Sequence, residues 1–256
     1  MIESGFFDHC EKLMQEIRDQ EIDKIHQAAE MVAEAVAASK TFIIHDRGHL
    51  IGGELLGRAG GPAFVRRLDM ALPDPGLIHP DTGVRPKCRD GLTGEARLAR
   101  MRRFEMEYTD YLFDMNGLGA GDVLLLNSNS GFGFSATAIA HTAKAKGLKL
   151  IVISSKATAE AITPEGGDKK LADYADLLFD NHAPYGDAVF EVAGLGEKLW
   201  PASGLGAAYI AWPIVLCAVE KLLERGVEPT ILRSLNIPGG VEQNVRARER
   251  YEGLGY

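Results

Sequence analysis

Two apolar runs, 123–126 and 149–153, each give way at once to small polar residues. The first ends in Asn127, Ser128, Asn129, Ser130 and Gly131, the second in Ser154 and Ser155. A run without polar alternation predicts a strand covered on both faces, as in a parallel sheet. Shorter runs at 41–45, 63–65, 177–181 and 229–232 predict further strands. Ile22, Ile25, Ala29, Val32 and Val36 recur at three- and four-residue steps, which predicts one long helix, or two in tandem, over 6–38. Helical patterns also cover 50–59, 95–115, 134–146 and 169–175. A last long one over 203–225 carries Leu205, Ala208, Trp212, Val215, Val219 and Leu222 as its stripe, with a kink expected at Pro213, and a short charged helix closes the chain. Strands alternating with helices through short connections predict a doubly wound parallel α/β sheet. The whole chain, 1–256, reads as a single domain: a helical segment over 1–40, then an α/β core with a C-terminal helix and tail. The stretch 68–94 is rich in Pro, Gly and Asp and reads as a lid or pocket wall, with His79 its best-placed side chain.

That architecture puts chemistry at the carboxyl ends of the strands, where open α/β sheets bind ligands. Ser128 and Ser130 offer hydroxyls there. Gly131 and Gly133 let the backbone come close, and the following helix aims its unpaired N–H groups at the same place. The pattern outlines an anion site, although Ser, Asn and Gly also serve turns for their own sake. After the first strand stand His45, Asp46, Arg47, Gly48 and His49. Arg47 can fork onto an anion, and His49 or Asp46 can move protons; equally, Asp46 can cap the next helix. Ser154 and Ser155 line up with the serine turn if their strands are parallel neighbours.

Composition narrows the partners. A net charge of -8 argues against non-specific nucleic-acid binding, but leaves room for a local basic pocket for an anionic substrate. The apolar segment 207–219 reads as too short to span a bilayer, so no membrane partner is expected. Three cysteines, Cys10, Cys88 and Cys217, are odd in number and widely spaced, which fits reduced thiols and a cytoplasmic location better than a disulfide framework. His45 and His49 are four residues apart, but Gly48 between them makes the stretch a loop rather than a helical ligand pair, and neither a metal nor a cofactor is expected.

Six short motifs in order resemble the sugar isomerase (SIS) domain family, within it a bacterial branch of phosphosugar-binding and phosphoheptose-isomerase-like proteins. They are Glu54-Leu55-Leu56-Gly57-Arg58 with the glycines to Gly61, Asp74-Pro75-Gly76-Leu77, Ser128-Asn129-Ser130-Gly131, the run from Gly167 to Asp176, the run from Asp180 to Ala188, and Gly239-Gly240-Val241-Glu242-Gln243-Asn244. The resemblance implies a three-layer α/β/α sandwich on a five-stranded parallel sheet, and a homodimer or larger homo-oligomer with shared sites. It gives Ser128, Ser130 and Gly131 the role of a phosphate loop. Two stretches depart from the pattern, 45–49 and Phe132 to Phe134, both on the ligand side, so a sulfonate or carboxylate can stand in for phosphate.

On this reading the expected activity is an aldose–ketose isomerisation of a phosphorylated or sulfonated sugar through an enediol. Ser128, Ser130, loop N–H groups and Arg47 hold the anion, and His49 assists ring opening. Glu54, Glu105 and Glu242 are the candidate bases, Glu54 foremost because it lies just past the 45–49 loop; an ion pair with Arg58 is its rival role. A non-catalytic sugar-phosphate-binding regulator and an amino-sugar-phosphate lyase or etherase are the alternatives.

Overall fold

A computed structural model describes residues 2–48, 50–68, 94–163 and 169–256. The expected lid at 68–94, with His79, and the loop at 164–168 fall almost wholly outside them, and Cys88 does too.

The first helix, α1, runs unbroken over Ile2–Ala37. Leu13, Ile17, Ile25, Ala29, Val32 and Val36 form its buried stripe, whereas Ile22, expected on that stripe, is 40 % exposed. The rest follows as β1 (Phe42–Asp46), α2 (Ile51–Glu54), β2 (Val65–Arg67), α3 (Gly94–Met115), β3 (Val123–Asn127), α4 (Phe134–Ala145), β4 (Lys149–Ser154), α5 (Lys156–Ala161), β5 (Leu177–Asp180), β6 (Ala188–Phe190), β7 (Leu199–Pro201), α6 (Ser203–Glu224) and α7 (Gly240–Leu254).

Five strands form one parallel sheet in the order β2-β1-β3-β4-β5. Alternate residues of each strand enter two separate cores. Phe42, Ile44, Val123, Leu125, Ile151 and Ile153 pack with α1 and α6. Ile43, Leu124, Leu126, Leu150 and Val152 pack with residues of α3 and α4. Burial on both faces is why the runs show no alternation. The result is the three-layer α/β/α sandwich expected.

Several elements differ from the sequence pattern. The helix over 50–59 is a single turn, because Gly52 and Gly53 weaken it and Gly57 turns left-handed at φ +66°. Residues 169–175 contain only a 3-10 turn, Leu171–Asp173. The segment 229–232 does not join the sheet; Ile231 makes an isolated antiparallel bridge with Pro62. The short helix α5 and the hairpin β6–β7 were not signalled by any long pattern. At 22 residues, α6 is long and apolar enough to cross a membrane, longer than 207–219 suggested, but half of its most apolar window is buried inside the fold. It packs along α1, and Gly206 is required on it because a β-carbon there would run into the Asn181 carbonyl at the end of β5.

Candidate functional site at the β1–β3 switch point

The strand order reverses between β1 and β3. The chain leaves β1 for β2 on one side and returns to β3 on the other, so a crevice opens at the carboxyl ends of these two strands. Register places Asp46 opposite Asn127 and His45 opposite Leu126. The two turns, after β1 and after β3, are therefore direct neighbours.

Asp46 is the hub joining them. Its Oδ1 accepts from the Gly48 N–H at 2.7 Å and from Asn127 Nδ2 at 2.7 Å, while Oδ2 accepts from the Gly52 N–H at 2.8 Å. Its carboxylate thus shapes the loop and serves the first turn of α2. The Arg47 N–H donates to the Asn127 carbonyl at 2.9 Å, which pins the backbone and leaves the Arg47 side chain exposed. Gly48 is structural as well: any β-carbon would collide with Asn127 Nδ2 and Asp46 Oδ1. Asn127 is 3 % exposed, and its Oδ1 is buried with no hydrogen-bond partner among the described residues.

The serine turn is stitched on three sides. Ser128 N–H donates to Ile153 O, Ser155 N–H to Asn129 O, and Leu171 N–H to Gly131 O, at 2.8 to 3.0 Å. Asn181 Nδ2 donates to Asn129 Oδ1 at 3.0 Å. Gly131 sits at φ +66° against Ser154, where a side-chain-bearing residue is strained. The turn ends at Gly133, which caps α4 without a side-chain hydrogen bond. Glycine has no side chain to cap with, so the first N–H groups of this 12-residue helix have neither a side-chain cap there nor an intrahelical acceptor. No hydrogen bond among the described residues uses the Ser128 or Ser130 hydroxyl; Ser128 is buried and Ser130 half-buried. Such a turn offers hydroxyls, N–H groups and the positive end of a helix to one anion.

Other candidates take different places. Ser154 is buried beside Gly131. Ser155 is fully buried, and its hydroxyl donates to Ala183 O at 2.7 Å while accepting from Thr158 N–H at 3.0 Å. It caps α5 and braces the chain after β5, with its one donor spent inside the fold. His49 lies outside the described residues. Glu54 closes α2, with its side chain 36 % exposed and Oε2 3.6 Å from Arg58 Nη2. Glu105 lies half-buried on α3, on the sheet face toward which strand alternation turns His45. Glu242 is exposed in the first turn of α7, a helix tied down by paired bonds between Asn244 and the Arg233 backbone; no described contact brings it to the serine turn. Among the described residues no group of three His, Cys, Asp or Glu is arranged to hold a metal ion.

His45 is 7 % exposed, and its Nε2 has no partner among the described residues. Burial, then the Arg47 charge, pushes its pKa down to about 4 against a weaker opposing pull from Asp46. The imidazole is neutral in the fold. An unfolded histidine binds its proton near pH 6.5, so this group's contribution to stability is complete above that value and is lost as pH falls from there towards 4. The loss amounts to about 3 kcal/mol once pH is below both values. Denaturant titrations between pH 7 and 4 should show the slope in the native chain and a flatter one in His45→Asn; identical slopes would contradict it.

A family model described as SIS domain matches residues 5–155. The chain belongs to the SIS domain family. The SIS match runs from α1 through β4 and so includes both turns. A UPF0309 protein of Listeria monocytogenes is 29 % identical over 249 residues, spanning 96 % of this SIS chain and 95 % of its own. One from Streptomyces griseus is 31 % identical over 254 residues, covering 96 % and 93 %. Among solved structures, phosphoheptose isomerase GmhA from Neisseria gonorrhoeae superposes with a TM-score of 0.49 at 12 % identity, covering 84 % of this chain and 95 % of that one.

Asn181 was the main site residue that sequence reasoning gave no role. It is fully buried, and its side chain both braces Asn129 and accepts from the Ala183 N–H. Its signal was present in the Asp180–Ala188 motif, but a polar residue at a strand end does not announce which turn it supports.

Proposed function

We propose that this SIS-domain protein is an aldose–ketose isomerase for an anionic sugar, phosphorylated or sulfonated. The observation that carries the reading is the Asn127–Asp46 hydrogen bond across β1 and β3, which seats the loop leading to Glu54 beside the uncapped start of α4. The anion occupies the serine turn, held by the Ser128 and Ser130 hydroxyls and the N–H groups leading into α4. Glu54 removes a proton from the carbon next to the carbonyl and returns it to the neighbouring carbon; the Arg58 guanidinium positions it. Phe7, Met14 and Ile22, exposed along α1, support a homodimer or larger assembly.

Deuterium incorporation at C1 or C2 of a bound sugar phosphate in heavy water tests the reaction. Glu54→Gln should slow it about a thousandfold with binding retained. Normal exchange in that variant would remove Glu54 from the role. The solvent-facing pair with Arg58 is the one feature favouring the second reading, a non-catalytic regulator. Saturable binding with no exchange in the native protein would establish that reading instead.

A further inference from the structure

Among the described residues of α1, Glu21 alone buries a charged side chain, at 3 % exposure; the other buried positions are apolar. Taking a carboxylate out of water is costly, and an apolar residue of similar size often serves a core as well or better. The position therefore calls for a reason beyond packing, and its neighbours supply one. Lys24, on the next turn, ion-pairs with Glu21, donates to the Leu178 carbonyl at 2.9 Å and lies over the Phe179 ring at 5.4 Å. On the other side, Glu21 Oε1 lies 3.8 Å from His182 Nε2, and His182 Nδ1 lies 3.8 Å from Asp180 Oδ2. The His182 ring, 10 % exposed, is thus held between two carboxylates. We infer that Glu21 and His182 are positioning residues for the serine turn: they tie α1 to the chain leaving β5 and so hold Asn181 against Asn129. The inference rests on the reading of that turn as an anion site.

The chain from Asp180 to Ala183 reaches the turn from the β5 side. Asn181 N–H donates to Ser154 O, its Nδ2 donates to Asn129 Oδ1, and its Oδ1 accepts from Ala183 N–H, each at 3.0 Å. Asn181 keeps that aim only while the residues on either side of it are fixed. Asp180 is fixed through its Oδ1, which accepts from the N–H groups of Lys156 at 3.0 Å and His182 at 2.9 Å. His182 is fixed at a greater cost. It sits at φ +55°, a left-handed backbone that a residue with a β-carbon keeps only where its surroundings enforce it. Its N–H bond to Asp180 and its ring against Glu21 are those surroundings. A glycine at 182 and an aliphatic residue at 21 would suit the core alone. Instead a buried charge and a strained backbone meet beside the residue that braces the turn. Cutting the tie leaves the backbone bonds of the turn in place, including Ser155 N–H to Asn129 O, but frees the Asn129 side chain from its fixed direction.

Glu21→Met removes the charge at similar volume, and His182→Asn removes the ring in a residue that tolerates the left-handed backbone. Each variant is followed by its melting temperature, by the Asn181 side-chain NH2 signal in ¹⁵N spectra of the ligand-free protein, and by calorimetric titration with inorganic phosphate. Glu21→Met should melt at or above the native temperature, because an apolar side chain replaces a buried charge, yet bind phosphate about tenfold more weakly. His182→Asn should show the same loss of affinity, and the double variant no further loss, since one tie is cut once. In all of them the Asn181 NH2 signal should shift and exchange faster with solvent. A pair that serves stability alone would lower Tm and leave both the Asn181 signal and phosphate affinity as in the native protein; that result overturns the inference. So does a loss of affinity with the Asn181 signal unmoved. If the native chain binds no phosphate, the anion reading of the turn fails, and the Asn181 signal still decides the tie.

Discussion

Replacing Ser128 and Ser130 together by alanine should weaken binding of an anionic sugar at least about a hundredfold. Each hydroxyl hydrogen-bonded to a charged group contributes about 1.5–3 kcal/mol, and two lost together exceed the 2.7 kcal/mol or so that a hundredfold change represents. The fold should tolerate the change, since neither hydroxyl makes a hydrogen bond within the described chain. The turn itself is held by backbone bonds and by Asn129, all of which remain. Calorimetric titration with a sugar phosphate, beside a melting curve, separates the two effects. A native Tm with lost affinity is the expected result; unchanged affinity would take the anion away from this turn.

The second large effect is at Asp46. Asp46→Ala removes one carboxylate and strands three donors: the N–H groups of Gly48 and Gly52 and the amide of Asn127. Three charge-assisted bonds would cost more if fully buried, but Asp46 is only half-buried and water recovers part of the loss. The expected cost is about 3 kcal/mol, seen as a Tm drop of roughly 10 °C in a chain of this size. Sugar-phosphate affinity should fall with it, because the loop after β1 loses its anchor to β3. Asp46→Asn keeps one acceptor and should fall between the two. A native Tm in Asp46→Ala would show that the loop is held by something other than this hub.

The strands of the centre were legible because their physics is local. Val123–Asn127 and Lys149–Ser154 are buried on both faces, and unbroken apolar runs report that directly. The convergence of the two turns followed from the same premise, since parallel strands put their carboxyl ends along one edge of the sheet. The division of labour within the site was not legible. Ser128, Ser154 and Ser155 look alike as letters, yet Ser155 is an α5 cap, and its acceptor, Ala183 O, arrives from 28 residues away. Asp46 read as proton carrier or helix cap; its tie to Asn127, 81 residues distant, depends on β1 and β3 being neighbours. The β6–β7 hairpin has three-residue strands, too short for a period to register, and owes its place to aromatic packing of Phe190 and Trp200 on α1. Segment 229–232 shows the opposite error: strand-like residues that, among the described residues, make only the single Ile231–Pro62 bridge.

The central claim is that the turns after β1 and β3 form one anion pocket. Titrating the ¹⁵N-labelled protein with a sugar phosphate and following amide shifts tests it most directly. The account predicts saturable shifts concentrated at Ser130, Gly131, Gly133 and Ser135, with Arg47 and Gly48 moving at the same ligand concentration. Shifts confined to one turn, or clustered around α1 and β6 instead, would contradict it.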